Sequence, residues 1–103
     1  MKYVFPAIFE KENEFYNVSF PDIPSCYTCG DNLTDAMFMA EDALGAWLSR
    51  AEEKGTVIPA ATSQTEVVHT LGDIVTLILA DTDEYRRIHS EKAVKKTLTI
   101  PNG

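Results

Sequence analysis

The sequence is poor in the residue types from which most active sites are assembled. Two cysteines and two histidines occur among 103 residues. Both cysteines lie in one C-x-x-C, Cys26 and Cys29, so a four-ligand zinc site would have to recruit His69 and His89 from distant segments. A thioredoxin-type redox pair is disfavoured as well, because no helix N-terminus follows Cys26 directly. Two small, partly buried thiols are the simpler reading, and no metal or other cofactor is expected. The glycines form no phosphate-cradling loop. The longest apolar run, Ile74 to Ala80, falls far short of the roughly 20 residues a membrane helix requires. MKYVFPAIFEKE has neither a signal-peptide core nor a cleavage site. The expectation is a cytoplasmic protein with reduced thiols and no membrane association.

Basic residues are scarce too. Nine Lys/Arg face sixteen Asp/Glu, a net charge of −7. The imbalance is uneven: residues 1–90 hold six basic and fifteen acidic side chains, a net −9. Residues 91–103 hold Lys92, Lys95 and Lys96 against Glu91, a net +2. An acidic body repels nucleic-acid phosphates and attracts basic partners, although solubility alone also accounts for such a charge. A hydrophobic fraction of 45% places the chain among globular proteins, and its length among single domains. The division expected is a domain over 1–90 followed by a basic tail over 91–103.

The patterns predict an α+β domain. Tyr3, Phe5, Ala7 and Phe9 alternate with Lys2, Val4, Pro6 and Ile8, a strand expected to be covered on both faces. A polar turn at Lys11–Glu14 leads to a second strand, Phe15–Phe20, with one wetter face. Pro21 and Pro24 end it, and Tyr27–Cys29 forms a short third strand. Asn32 and Asp35 then cap a helix opening at Leu33. Its apolar face is Ala36, Ala40, Ala43, Leu44, Trp47, Leu48 and Ala51, and Gly55 is placed to end it. Trp47 is expected in the core between helix and sheet. Thr56–Ser63 reads as a loop, while Gln64–Leu71 is open between a helical turn and an extended segment. Ile74–Ala80 is a buried strand, and Asp81-Thr82-Asp83 can cap a short helix through Ile88. The order is β-β-β-α-β-α: a sheet of three to four strands with one long helix on one face. The last strand is expected to enter beside the first through a right-handed crossover.

The carboxylates do not converge on an enzyme. A two-metal nuclease on such a sheet would place an acidic residue on the central first strand, and residues 2–9 have none. His69 and His89 have no Ser or Cys partner at informative spacing.

With these features in place, the stretch KYVFPAIFEKENEFYNVSFPDIPSCYTCGDNLTDAMFMAEDALGAWL resembles the HicB antitoxin family. The likeness rests on an aromatic-rich hairpin, an F-P-D-[LI]-P-G-C corner, a T-x-G-D step and an alanine-rich helix with W-L near its end. The VIP loop, ILADTDEYRR and KAVKKTLTIPN continue it. Ser25 stands where the family usually has glycine. The resemblance implies a partial ribonuclease-H-like fold without its nuclease site. It also implies a noncatalytic antitoxin that binds a small basic HicA-type toxin, an enzyme that cleaves mRNA. Toxin contact is expected at Asp22, Tyr27 and Asp31, and self-association as a homo-oligomer, most simply a dimer. The tail, in which Lys95, Thr97 and Thr99 alternate with Leu98 and Ile100, resembles the opening ribbon of a ribbon-helix-helix DNA-binding element. DNA binding and operon autorepression are therefore expected only of a longer form. The alternative is a stand-alone or phage-borne HicB-like oligomeric regulatory module that has no cognate toxin.

Overall fold

A computed structural model describes residues 1–89. The tail, including Lys95, Thr97 and Thr99, lies outside the described residues. Four strands, β1 (Lys2–Glu12), β2 (Phe15–Ser19), β3 (Tyr27–Gly30) and β4 (Ile74–Asp81), form one sheet in the order β3-β2-β1-β4. Every neighbouring pair is antiparallel. The long helix α1 (Leu33–Lys54) covers one face, and a short helix α2 (residues 82–89) follows β4. The element order is the expected one, and β4 does pair with β1. The connection differs in kind, however: β4 runs antiparallel to β3, so the handedness rule for parallel strands does not govern it. Of the ambiguous segment Gln64–Leu71, only Gln64–Glu66 is helical, as a single 3₁₀ turn.

The start and end of α1 are fixed by side chains read directly from the sequence. Asn32 is extended, and its side-chain oxygen accepts from the Asp35 amide at 2.8 Å. The Asp35 carboxylate accepts in turn from the Asp31 amide at 2.9 Å, one residue further back than in the usual capping box. At the other end Gly55 takes a left-handed conformation, and the Thr56 amide bonds the Ala51 carbonyl at 2.9 Å. Ala36, Ala40, Leu44 and Leu48 are fully buried against Phe5, Ala7 and Phe9 of β1 and Ile78 of β4.

The corner FPDIPSC is two successive β-turns. The Ile23 amide bonds the Phe20 carbonyl and the Cys26 amide bonds the Ile23 carbonyl, each at 2.9 Å. Pro21 and Pro24 occupy the second position of each turn, where a fixed φ is an advantage. The three-residue step drops Phe20, Ile23 and Cys26 into the core. Ser25 needs no left-handed backbone, since Asn13 is the only non-glycine residue with positive φ among the described residues. Its hydroxyl instead accepts from the Trp47 indole at 2.9 Å. That bond draws Trp47 to the margin: it is half-buried and packs against the core without forming part of its centre.

Gly30 closes β3 where α1 passes over it. A Cβ there would sit 2.4 Å from the Ala36 nitrogen, so only glycine permits this approach. β1 departs from expectation in two respects. Its turn contracts to Asn13 and Glu14, so the strand extends through Glu10 and Glu12, two carboxylates beyond the stretch read as strand. Its second face is also less covered than expected, with Val4 and its cross-strand neighbour Leu79 exposed. Pro6 is tolerated because β2 pairing begins only at Ile8, leaving Pro6 a ladder neighbour on the β4 side alone.

Candidate functional site

The sequence-derived positions take three different roles. The Asp22 carboxylate clasps the loop after α1, accepting from the Thr62 amide at 2.8 Å and from the Thr62 hydroxyl. Tyr27 is 73% exposed at the start of β3. It borders a concavity with Glu10, Asn17, His69 and Asp73. Asp31 is exposed at the approach to α1, joined to Asp35 by its backbone amide. Thus Asp22 shapes a loop, while Tyr27 and Asp31 are solvent-facing at opposite ends of β3. The described residues contain no cluster of three or more His, Cys, Asp or Glu side chains able to hold a metal. Cys29 is exposed, whereas burial pushes the Cys26 thiol up to about 11, so it stays protonated at neutral pH.

A second feature, not anticipated from the sequence, lies between α1 and α2. It is a groove of about 480 Å³ beside the end of β4. Phe38, Met39, Leu79 and Ile88 supply its apolar lining, and Asp35, Glu41, Asp42, Asp81 and Glu84 its carboxylates. Gly45 sets the spacing of its walls, because the Tyr85 ring occupies the space where a Cβ would stand, 2.9 Å away. Tyr85 stacks at 4.0 Å on His89, whose Nε2 lies 3.8 Å from Asp42. Burial of the Tyr85 ring raises its phenol above the ordinary value. At the start of α2, Asp81 accepts from the amides of Asp83 at 3.0 Å and Glu84 at 3.3 Å, the cap expected there.

Glu52 holds α2 in place. Its carboxylate accepts from the Tyr3 hydroxyl at 2.5 Å, the Thr82 hydroxyl at 3.1 Å and Arg86 at 2.8 Å. Arg86 also reaches the Ser49 carbonyl at 3.0 Å. The Tyr3 hydrogen bond is the leading reason that the Glu52 carboxyl lies below its ordinary value, and Arg86 and Thr82 reinforce it. Reciprocally, Glu52 raises the phenol of Tyr3. β1, α1 and α2 therefore meet on one carboxylate. The sequence did offer one pointer to the groove: Met37-Phe38-Met39 is an apolar run on a helix, where three consecutive residues cannot all face the core.

Residues 5–102 match the family described as HicB_like antitoxin of bacterial toxin-antitoxin system, and the chain belongs to that family. Solved structures with the same fold include a toxin–antitoxin complex from Streptococcus pneumoniae. The match has a TM-score of 0.74 and 21% identity, over 82% of this chain and 73% of that one. The N-terminal domain of the Burkholderia pseudomallei antitoxin HicB matches with a TM-score of 0.66 and 23% identity, over 74% of this chain and 95% of that one. A 14.9 kDa protein from the rep–hol intergenic region of Haemophilus phage HP1 is 36% identical over 56 residues, 54% of this chain and 42% of its own. The chain thus spans less than half the length of this curated relative.

Proposed function

We propose that this protein is a noncatalytic antitoxin that binds and neutralises a small basic HicA-type, mRNA-cleaving toxin. Membership of the antitoxin family over residues 5–102 carries the reading. The net −9 of residues 1–90 supports it, because a cationic ribonuclease meets an acidic surface with faster, salt-sensitive association. Apolar contacts would then supply much of the lasting affinity. The exposed Tyr27 and Asp31 are proposed contacts, and Asp22 contributes by fixing the loop at Thr62. Self-association, and DNA binding or autorepression by a longer form, belong to the same proposal. The alternative is a stand-alone or phage-borne regulatory module without a toxin, and one relative of the chain is encoded by a phage.

Co-expression with a HicA-type toxin tests the main reading. The full chain should restore growth and co-purify with the toxin. Growth arrest that persists while the chain is soluble and folded would overturn it in favour of the module.

A further inference from the structure

We propose that the α1–α2 groove is a docking face of this chain, and that its occupant is a cationic segment of the partner protein bearing large apolar side chains. The inference rests on the antitoxin reading and adds where the partner docks and by what chemistry.

Four observations converge on it. First, the groove exposes large apolar side chains that the fold itself leaves uncovered: Phe38 at 71%, Leu79 at 56%, Ile88 at 42% and Met39 at 39%. Single exposed apolar residues are ordinary, but four lining one groove mark an interaction surface. Second, among the described residues its lining includes five carboxylates and no Lys or Arg, and of the five Glu84 is paired with Arg87 of α2. At physiological salt, screening acts over about 8 Å, so these local charges select an occupant more than the distant net charge does. Third, the same rim argues against the acidic body of a second copy of this chain. A two-fold contact through the groove would set acidic rim against acidic rim, which is unfavourable in a desolvated interface. Fourth, the walls are preset. Tyr85 seats against Gly45, and Glu52 ties α2 to α1 and β1 through Arg86, Thr82 and Tyr3. A preformed groove spares the ordering cost of binding. The concavity beside Tyr27 is a weaker candidate, with two carboxylates, Glu10 and Asp73, and mostly polar side chains.

The test uses the full 103-residue chain and, as probe, a fluorescein-labelled amphipathic helical peptide of leucine and lysine, followed by anisotropy at physiological salt. Phe38→Glu should weaken binding about 10-fold or more, the size of effect expected of a central apolar anchor. The double reversal Glu41→Lys/Asp42→Lys should do the same. Glu10→Lys/Glu12→Lys, which changes the net charge equally, should change it less than about 2-fold. Because Phe38 is exposed, its variant should melt like the parent, which separates lost binding from lost folding. Absence of peptide binding, or equal weakening by the two charge reversals, would overturn the proposal. The toxin co-expression separates it from the reading beneath it. If Phe38→Glu neutralises the toxin as well as the parent, the groove is wrong and the antitoxin reading stands. If the parent itself fails to neutralise, that reading falls, and the peptide titration alone decides the chemistry of the groove.

Discussion

Replacing Gly30 by alanine should injure this fold far more than a single methyl group suggests. The added Cβ would lie 2.4 Å from the Ala36 nitrogen, 2.5 Å from its Cα and 2.8 Å from the Asp35 carbonyl carbon. Ordinary contact begins near 3.4 Å, so β3 and the first turn of α1 must part by about 1 Å. All three obstacles are backbone, which cannot swing aside as a side chain does. α1 cannot yield locally either, because Ala36 and Ala40 are completely buried and Asn32 pins the helix start. Overpacking of this kind costs about 3 kcal/mol, the upper end of its usual range. Alanine returns somewhat less than 1 kcal/mol by restricting the unfolded chain, leaving a loss of about 2–3 kcal/mol. For a domain of this size that lowers Tm by roughly 10–20 °C. Urea melts followed by circular dichroism measure the effect. Gly72→Ala is the comparison: its φ of 100° imposes strain, but nothing lies within 4 Å of the added carbon. It should cost about 1–2 kcal/mol. A Gly30→Ala variant within about 0.5 kcal/mol of the parent would refute the close approach of strand and helix.

The two thiols should behave oppositely towards a thiol reagent at neutral pH: Cys29 reacts in the native protein, and Cys26 only after unfolding, because it is buried with its pKa pushed up to about 11. Two fast-reacting thiols in the folded protein would contradict this placement of the corner. Glu52 should make stability pH-dependent in acid. Its folded pKa is depressed below 4.5, so its contribution is fully present above that value and is lost as pH falls through the folded value. Glu52→Gln should flatten that part of the stability–pH curve, and an unchanged slope would remove the carboxylate from its central role.

Several features were legible because they depend on neighbours in the chain. The caps of α1, the aspartate cap of α2 and the two-proline corner each follow from residues two to four positions apart. The apolar stripe on α1 was equally clear, since the 3.6-residue period lets one face be read directly. Misreadings arose where a residue's surroundings come from elsewhere. Lys11 and Glu12 read as turn residues in sequence, but they extend β1, exposed to solvent at the hairpin end. Trp47 lies on the stripe, yet a hydroxyl 22 residues earlier in the sequence draws it to the margin. The family and its fold were readable from the corner, the helix and their spacing. The α1–α2 groove was not, because it exists only where Tyr85 crosses Gly45, and no local pattern specifies that crossing.

The Asp22–Thr62 clasp bears on how this chain can vary in length. Residues 55–73 join α1 to β4 with a single 3₁₀ turn along the way. Thr62 is tied to the corner, and Gln64 bonds the Val75 carbonyl at 2.7 Å, so the connection is held at two nearby points. Neither tie reaches the stretch from Val68 to Leu71, and both of these residues are over 90% exposed. Closing a longer loop costs only about 0.6 kcal/mol for each doubling of its length. Insertions at His69–Thr70 should therefore leave the domain intact, while insertions of the same size between Gly55 and Thr62 would displace the clasp. Relatives that differ in length can accommodate the difference on one side of Gln64 without altering the surface on the other.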